Sequence, residues 1–410
     1  MATQIFSNIS LLVTPNGNSG FIRGAELANL STIKDAYIII EDDVIAEIGE
    51  TNHLRFSKDN YSVPGHTIVL PCWCDSHSHL VYAAPREEEF IDKIKGKSYA
   101  EIAANGGGIL NSAKKLSAAS EDVLFTEAWK RLKEISRLGT GAIEIKSGYG
   151  LSLDGELKML RVIKKLKEKS RIKIKATFLG AHTFPPEYKE DHEGYINLII
   201  NEMLPVIANE NLADYIDVFC EEGFFSPKEM LQICEAGMRY GMKSKLHVNQ
   251  LNSIGGVEAG ISSGALSLDH LETLTEKDIF LLGGYKGAST LLPSAAFFLR
   301  MPLQPARKLI DAGAAVTLAS DYNPGSSPSG NMNFVVSLAC IQMKMLPEEA
   351  INAATINGAC AMEIDPDYGS ITVGKKANLI FTKRVPSLSY LPYSFGNNLI
   401  DRVMIHGSFI

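Results

Sequence analysis

The chain has little of what marks a secreted, membrane or nucleic-acid-binding protein. No apolar run reaches the roughly 18 residues that a bilayer crossing requires. The N-terminus, MATQIFSNIS, has no basic segment followed by an apolar one, so no secretion signal is expected. Cysteine is scarce: Cys72, Cys74, Cys220, Cys234, Cys340 and Cys360 are the only six in 410 residues. Most lie in apolar strand or helix patterns, which fits buried free thiols in a reducing cytoplasm rather than a disulfide framework. Cys72-Trp-Cys74 has the form of half a thiolate metal site, but no second pair answers it, and packing is the expected role. Positive charge is not in excess, with 40 Lys and Arg against 47 Asp and Glu and a net charge of −7. That balance gives no electrostatic reason to expect nucleic acid or an anionic membrane as partner. Internal repeats and low-complexity segments are also missing.

What is present is the composition of a globular protein with a sizeable core, 45% apolar and 21% charged. The most informative stretch is 67–80, TIVLPCWCDSHSHL. It reads as a β-branched strand ending in His77 and His79, whose i and i+2 spacing puts both imidazoles on one side of an extended chain. Alone, the triplet fits equally a metal grip or two surface histidines where a strand runs out. Before it, residues up to about 63 read as short strands and turns, with a hairpin over 35–48 that turns at 41–43. After it, strands are expected at 141–146, 172–179, 215–220, 243–248, 265–270, 289–293 and 314–320, with amphipathic helices between most of them. The clearest helices are 121–137 and 154–169; Asp154 and Ser226 are candidate N-caps, the latter followed by Pro227 at the first helical position. Eight strands alternating with helices predict an α/β fold of the (β/α)8 TIM-type barrel class. A doubly wound open sheet would want a Gly-rich phosphate loop after its first strand, and HSHL is not one. From about 365 the alternation stops. Residues 367–381 read as turn, strand, turn, strand, and 399–410 as a final strand pair. The expected organisation is therefore a barrel over 66–364 and a small β-sandwich domain built jointly from 1–65 and 365–410.

In such a barrel the chemistry sits at the C-terminal ends of the strands. Those ends carry His77 and His79, then Glu144, Lys146 and Tyr149, then His182, Glu221 and Glu222, His247, Asp269 and His270, and Asp321. Five of the nine histidines fall there, while His53, His66, His192 and His406 do not. Three imidazoles (His77, His79, His247) and one carboxylate (Asp321) are the donor set of a catalytic metal site with an open position. Asp321 could also accept a proton from an attacking water, and His270, one strand over, could orient that water; the bland reading of His270 is a core histidine. Strand four ends Phe219-Cys220-Glu221-Glu222 without a lysine to bridge two metals, so one ion is expected, with Glu221 leaving a second conceivable.

These motifs resemble the amidohydrolase superfamily: DSHSHL at 75–80, REEEF at 86–90, ANGGGI at 104–109, EIKSGYG at 144–150, FLGAHT at 178–183, DVFCE at 217–221, DHLE at 269–272 and ASDYNPGS at 319–326. They run in order across the whole barrel, and 369–379 is similar to the superfamily's closing β-domain. The resemblance implies one Zn2+ or Fe2+/Fe3+ ion per subunit, held by His77, His79, His247 and Asp321, and a cytoplasmic homodimer. It implies hydrolytic opening of a small cyclic amide, an imidazolone ring that carries a carboxylate. Arg86 would hold that carboxylate, and Tyr99, Tyr149, His182, Asn323, Gly325 and Ser326 would contact ring and tail. Each has a plainer alternative: Arg86 could pair with Glu87 or Glu88, Tyr149 could cap a turn, and Asn323-Pro-Gly could be only a tight turn. Related mononuclear deaminases place a glutamate three residues after the strand-five histidine, where this chain has Gln250. Glutamine can hydrogen-bond a ring but cannot shuttle protons, which favours ring opening over an aminohydrolase acting on a guanine- or cytosine-like ring. Asn249 also departs from the acidic residue expected beside it. A member that has lost its metal and serves as a binding protein is the remaining alternative.

Overall fold

The computed structural model describes residues 3–15, 20–54, 61–62, 67–97, 101 and 107–410. Its centre is an eight-stranded parallel sheet in which spatial order follows chain order. The strands are Trp73–Asp75, Thr140–Lys146, Lys173–Ala181, Tyr215–Cys220, Lys243–Val248, Ser267–His270, Ala288–Leu291 and Val316–Leu318, here barrel strands one to eight. Strands one and eight meet beyond their regular ends. His79 N donates to Tyr322 O at 2.9 Å, Asp321 N to His77 O at 3.0 Å, and Ser78 bridges Tyr322. Deeper in the seam, the Asp75 carboxylate accepts from Ser320 N at 2.9 Å and from Ser320 Oγ at 2.6 Å. These bonds join the two ends of the sheet, and the TIM-type barrel expected from the sequence is what the chain forms.

Helices cover the outside. Glu121–Arg137 is capped by the Ser120 side chain, and Leu153–Lys169 by Ser152 rather than Asp154, which falls inside the first turn where its charge suits the helix dipole. Pro227–Met238 starts with a capping box in which Ser226 and Glu229 satisfy each other's backbone donors.

The β-domain expected from the two chain ends is also present, as one eight-stranded sheet. The N-terminal part supplies Thr3–Pro15, Leu30–Glu41 and Val44–Glu50, and the C-terminal part Leu379–Thr382, Ile400–Ile405 and Ser408–Phe409. Its core packs Phe6, Ile38, Ile40, Phe381 and Met404, with the Phe6 and Phe381 rings 5.2 Å apart. The hairpin turns at Asp42, whose φ of +56° suits a residue that tolerates left-handed backbone.

Two expectations need correction. The apolar run ahead of His77 is not one strand. Ile68–Pro71 pairs with the N-terminal strand and antiparallel with Leu379–Phe381 in the β-domain, and the chain crosses into the barrel at Cys72 and Trp73. His77 and His79 consequently lie just past barrel strand one, kept extended by the seam bonds. In the C-terminal part, no strand forms before Leu379; Ile371 is buried in the small core while Lys375 N bonds Thr372 O to close a turn. Of the described cysteines all six are free, and Cys72 and Cys74 are buried, consistent with packing.

Candidate metal centre

Strand ends and the loops that follow them line a common cavity at the C-terminal end of the barrel, about 410 Å³ in volume. His79, Arg86, Tyr149, His182, His247, Gln250, His270, Asp321, Asn323, Gly325 and Ser326 all line it. Tyr99 and residues 104–106 of the 104–109 motif lie outside the described residues. His77 sits behind the cavity floor and is fully buried.

Two of the imidazoles are fixed from behind by carboxylates. His77 Nδ1 donates to Asp269 Oδ2 at 2.6 Å and His247 Nδ1 to Asp217 Oδ2 at 2.8 Å. In a neutral ring this leaves the Nε2 lone pair pointing inward. His77 Nε2 is buried without a hydrogen-bond partner among the described residues, His247 Nε2 stands 3.3 Å from His79 Nε2, and both His77 Nε2 and His79 Nε2 lie 3.6 Å from Asp321 Oδ1. Two overlapping groups, His77-His79-His247 and His77-His270-Asp321, each bring their donor atoms within 4.8 Å. Two inward lone pairs, a third imidazole nitrogen and a carboxylate oxygen gathered this closely are the donor set that one metal ion would satisfy.

Burial sets the charges. It pushes the His77, His79 and His247 imidazoles well below their ordinary value, towards the neutral form a ligand needs. Burial also pushes Asp321 up to about 6, against the pull of His270 and Asn323. For His270 burial acts downward, but the Glu272, Asp321 and Asp269 carboxylates more than offset it, and the net shift is upward. His182 goes down to about 4 through burial, its Nδ1 donating to Gly148 O at 2.9 Å, so Nε2 faces the cavity as an acceptor.

Beneath the histidines lies a buried ionic cluster whose role the sequence reading left open. Lys146 Nζ is 2.7 Å from Glu144, 2.9 Å from Asp217 and 3.6 Å from Asp269, and Lys245 Nζ is 3.0 Å from Glu144. One ammonium thereby touches both carboxylates that orient metal-facing imidazoles. The signal in the sequence was a set of charges inside otherwise apolar strands, which strand alternation directs into the barrel.

Above the cavity, Arg86 lies against Gly325 so closely that a Cβ there would fall 1.6 Å from Nη2. Among the described residues its one ion pair is a long one, 3.7 Å to Glu89, and its buried Nε has no partner. Asn323 is engaged within its own loop: Oδ1 accepts from Gly325 N and Ser326 N at 2.8 Å, and Nδ2 donates to Asp321 O at 2.7 Å. Ser326 Oγ reaches Asp321 Oδ2 at 3.3 Å. Glu221, kept open for a second ion, is occupied otherwise. Its two oxygens accept from Leu251 N, Asn252 N, Asn252 Nδ2 and Glu222 N, which pins the loop that carries Gln250. Asp321, His270 and Asn249 all have left-handed φ, between +53° and +83°. Non-glycine residues in that region concentrate at functional sites.

A parallel barrel with imidazoles and an aspartate converging at its C-terminal mouth is the arrangement of an amidohydrolase, and the Amidohydrolase family model matches residues 181–410. Solved structures share the fold. An adenosine deaminase from Xanthomonas campestris with bound zinc aligns with a TM-score of 0.73 at 16% identity, covering 99% of this chain and 92% of that one. A guanine deaminase from C. acetobutylicum gives 0.69 at 17%, with both chains fully covered. Among curated proteins, the imidazolonepropionase of Flavobacterium johnsoniae is 55% identical over the whole of both chains. That of Thermoanaerobacter pseudethanolicus is 41% identical over 98% of this chain and 96% of its own. The chain belongs to the imidazolonepropionase family of amidohydrolases.

Proposed function

We infer that the chain catalyses hydrolytic ring opening of 4-imidazolone-5-propanoate to N-formimidoyl-L-glutamate, a step of histidine degradation. The observation that carries this reading is one cavity holding both a metal-competent donor set and a buried, under-partnered arginine. His77, His79, His247 and Asp321 would hold a single Zn or Fe ion, which when bound lowers the pKa of water and polarises a carbonyl. Asp321, raised to about 6, accepts the proton of the attacking water at a carboxylate oxygen. His270 orients that water from the neighbouring strand. Arg86 takes the propionate carboxylate through its guanidinium donors, whose one ion pair among the described residues is a long one. His182 offers Nε2 to a ring N–H, and Tyr149 and the Gln250 amide complete the ring's surroundings. Water adds across the amide C–N bond: the carbonyl carbon becomes a carboxylate and the nitrogen stays in the product as the formimidoyl group.

An aminohydrolase would instead release ammonia, and Gln250 supplies no proton shuttle for that. Incubating the metal-loaded protein with imidazolone propionate should give a product one water heavier with no ammonia. Ammonia release, or turnover of guanine- or cytosine-like rings in its place, overturns the reading. The active form is expected to be a cytoplasmic homodimer, checked by light scattering.

A further inference from the structure

Barrel strand six ends at His270, and the chain then turns back on itself through left-handed backbone at His270 (φ +83°) and Leu271 (φ +65°). Leu271 N bonds Val248 O and Thr273 N bonds Asn249 O, while Asn249 Nδ2 donates to Thr273 O, so strand five holds both sides of the turn. The turn brings Glu272 behind the His270 ring. Glu272 Oε1 accepts from His270 Nδ1 at 3.2 Å and from Gln304 Nε2 at 2.9 Å, and Oε2 is buried with no hydrogen-bond partner among the described residues. Gln304 itself is 1% exposed. A carboxylate in such a place is costly to desolvate, and its Oε1 joins the Gln304 amide to the His270 imidazole, which lines the cavity.

We propose that Glu272 and Gln304 are positioning residues for His270. Glu272 takes the Nδ1 proton and so fixes the tautomer whose Nε2 lone pair faces the cavity, and its charge steadies the ring as that nitrogen shares a proton with the reacting water. Gln304 holds the carboxylate in this rotamer. It follows Met301 and Phe298, which line the cavity wall, by only a few residues, so the segment that shapes the pocket also carries the outer member of the chain. The inference rests on the reading of His270 as the residue that orients water.

Four variants of the metal-loaded protein test it: His270→Ala, Glu272→Gln, Gln304→Leu, and the exchange Glu272→Gln with Gln304→Glu. kcat, KM, bound metal per subunit and melting temperature are measured for each. Glu272→Gln keeps an acceptor for Nδ1 but loses the charge; kcat should fall on the order of tenfold to a hundredfold, below the loss in His270→Ala, with KM and metal content near wild type. Gln304→Leu should lower kcat about threefold to tenfold. The exchange restores a negative charge one bond further out and should recover part of kcat, a rescue that loss of packing alone would not produce. If His270→Ala lowers kcat while Glu272→Gln does not, the positioning role is overturned and the reading of His270 stands. If His270→Ala turns over normally, both fail. Should Glu272→Gln not fold, Gln304→Leu decides: wild-type kcat overturns the proposal.

Discussion

Gly325→Ala offers a direct measure of how Arg86 works. Gly325 is not in left-handed backbone, so alanine strains nothing in the main chain. Its new methyl would fall 1.6 Å from Arg86 Nη2, 2.1 Å from Cζ and 2.5 Å from Nε. Restoring an ordinary contact of about 3.5 Å requires the guanidinium to retreat by about 2 Å. A charge-assisted pair with a carboxylate does not survive such a move, and hydrogen bonds to charged groups are worth about 1.5–3 kcal/mol. At ~1.4 kcal/mol per tenfold, KM for imidazolone propionate should rise roughly 10- to 150-fold. With Arg86 in the proposed role, gripping the tail equally in the ground and transition states, kcat should change little. In an Arg86→Ala background the same substitution should add almost nothing, since its target is gone. Steady-state kinetics on the metal-loaded protein, with melting curves as the fold control, decide the matter. A KM within twofold of wild type in a folded variant, or a fall in kcat at constant KM, refutes the reasoning.

Asp321→Asn keeps the shape of the side chain but removes the charge that the proposed ligand and base roles require. Turnover should drop by about 10²- to 10⁴-fold with less metal retained per subunit; near-normal turnover would exclude Asp321 from both roles. Lys146→Met strands Glu144, Asp217 and Asp269 in the barrel interior without their shared cation, and chemical denaturation should show a loss of about 3–5 kcal/mol. His182 is neutral when folded, with its imidazole at about 4 against an ordinary 6.5. As pH falls below 6.5 the unfolded chain binds a proton that the folded one refuses, so stability declines, by about 2 kcal/mol at pH 5. His182→Asn should remove that part of the acid sensitivity between pH 7 and 5, and an unchanged pH profile of unfolding would show that His182 is not held neutral.

The barrel was legible because alternation of apolar runs with amphipathic helices is a local pattern, and the cavity residues because histidines gathered where those runs ended. The features that escaped depend on which distant segment a residue meets. Nothing in IVLPCWC says that its first half joins one sheet and its second half another, since both halves are apolar and β-branched or aromatic. Ser152 and Asp154 are equally good caps by type, and packing of the helix chose between them. Asp217 could be seen as a charge inside a strand, but its partner, His247 Nδ1, is 30 residues on. Glu272 and Gln304 meet across 32 residues and an intervening strand, and no spacing rule connects them.

The seam between strands one and eight ties the fold to the chemistry. Strand one is only Trp73–Asp75 and strand eight only Val316–Leu318, too short for their own ladder to close the barrel. The closing bonds are made instead by the residues just beyond: His77 O, His79 N and Asp321 N. The backbone of three candidate ligands is thus what joins the sheet's two ends, while their side chains face one another across it. Asp75 and Ser320, one turn of the seam deeper, lock the register, and a one-residue slip there would point every one of these side chains away from the cavity. It follows that the donor set cannot assemble before the barrel closes. The positions of His77, His79 and Asp321 are then fixed by main-chain bonds rather than by their rotamers alone, so Asp321, in left-handed backbone at φ +53°, is held in place at the end of its strand.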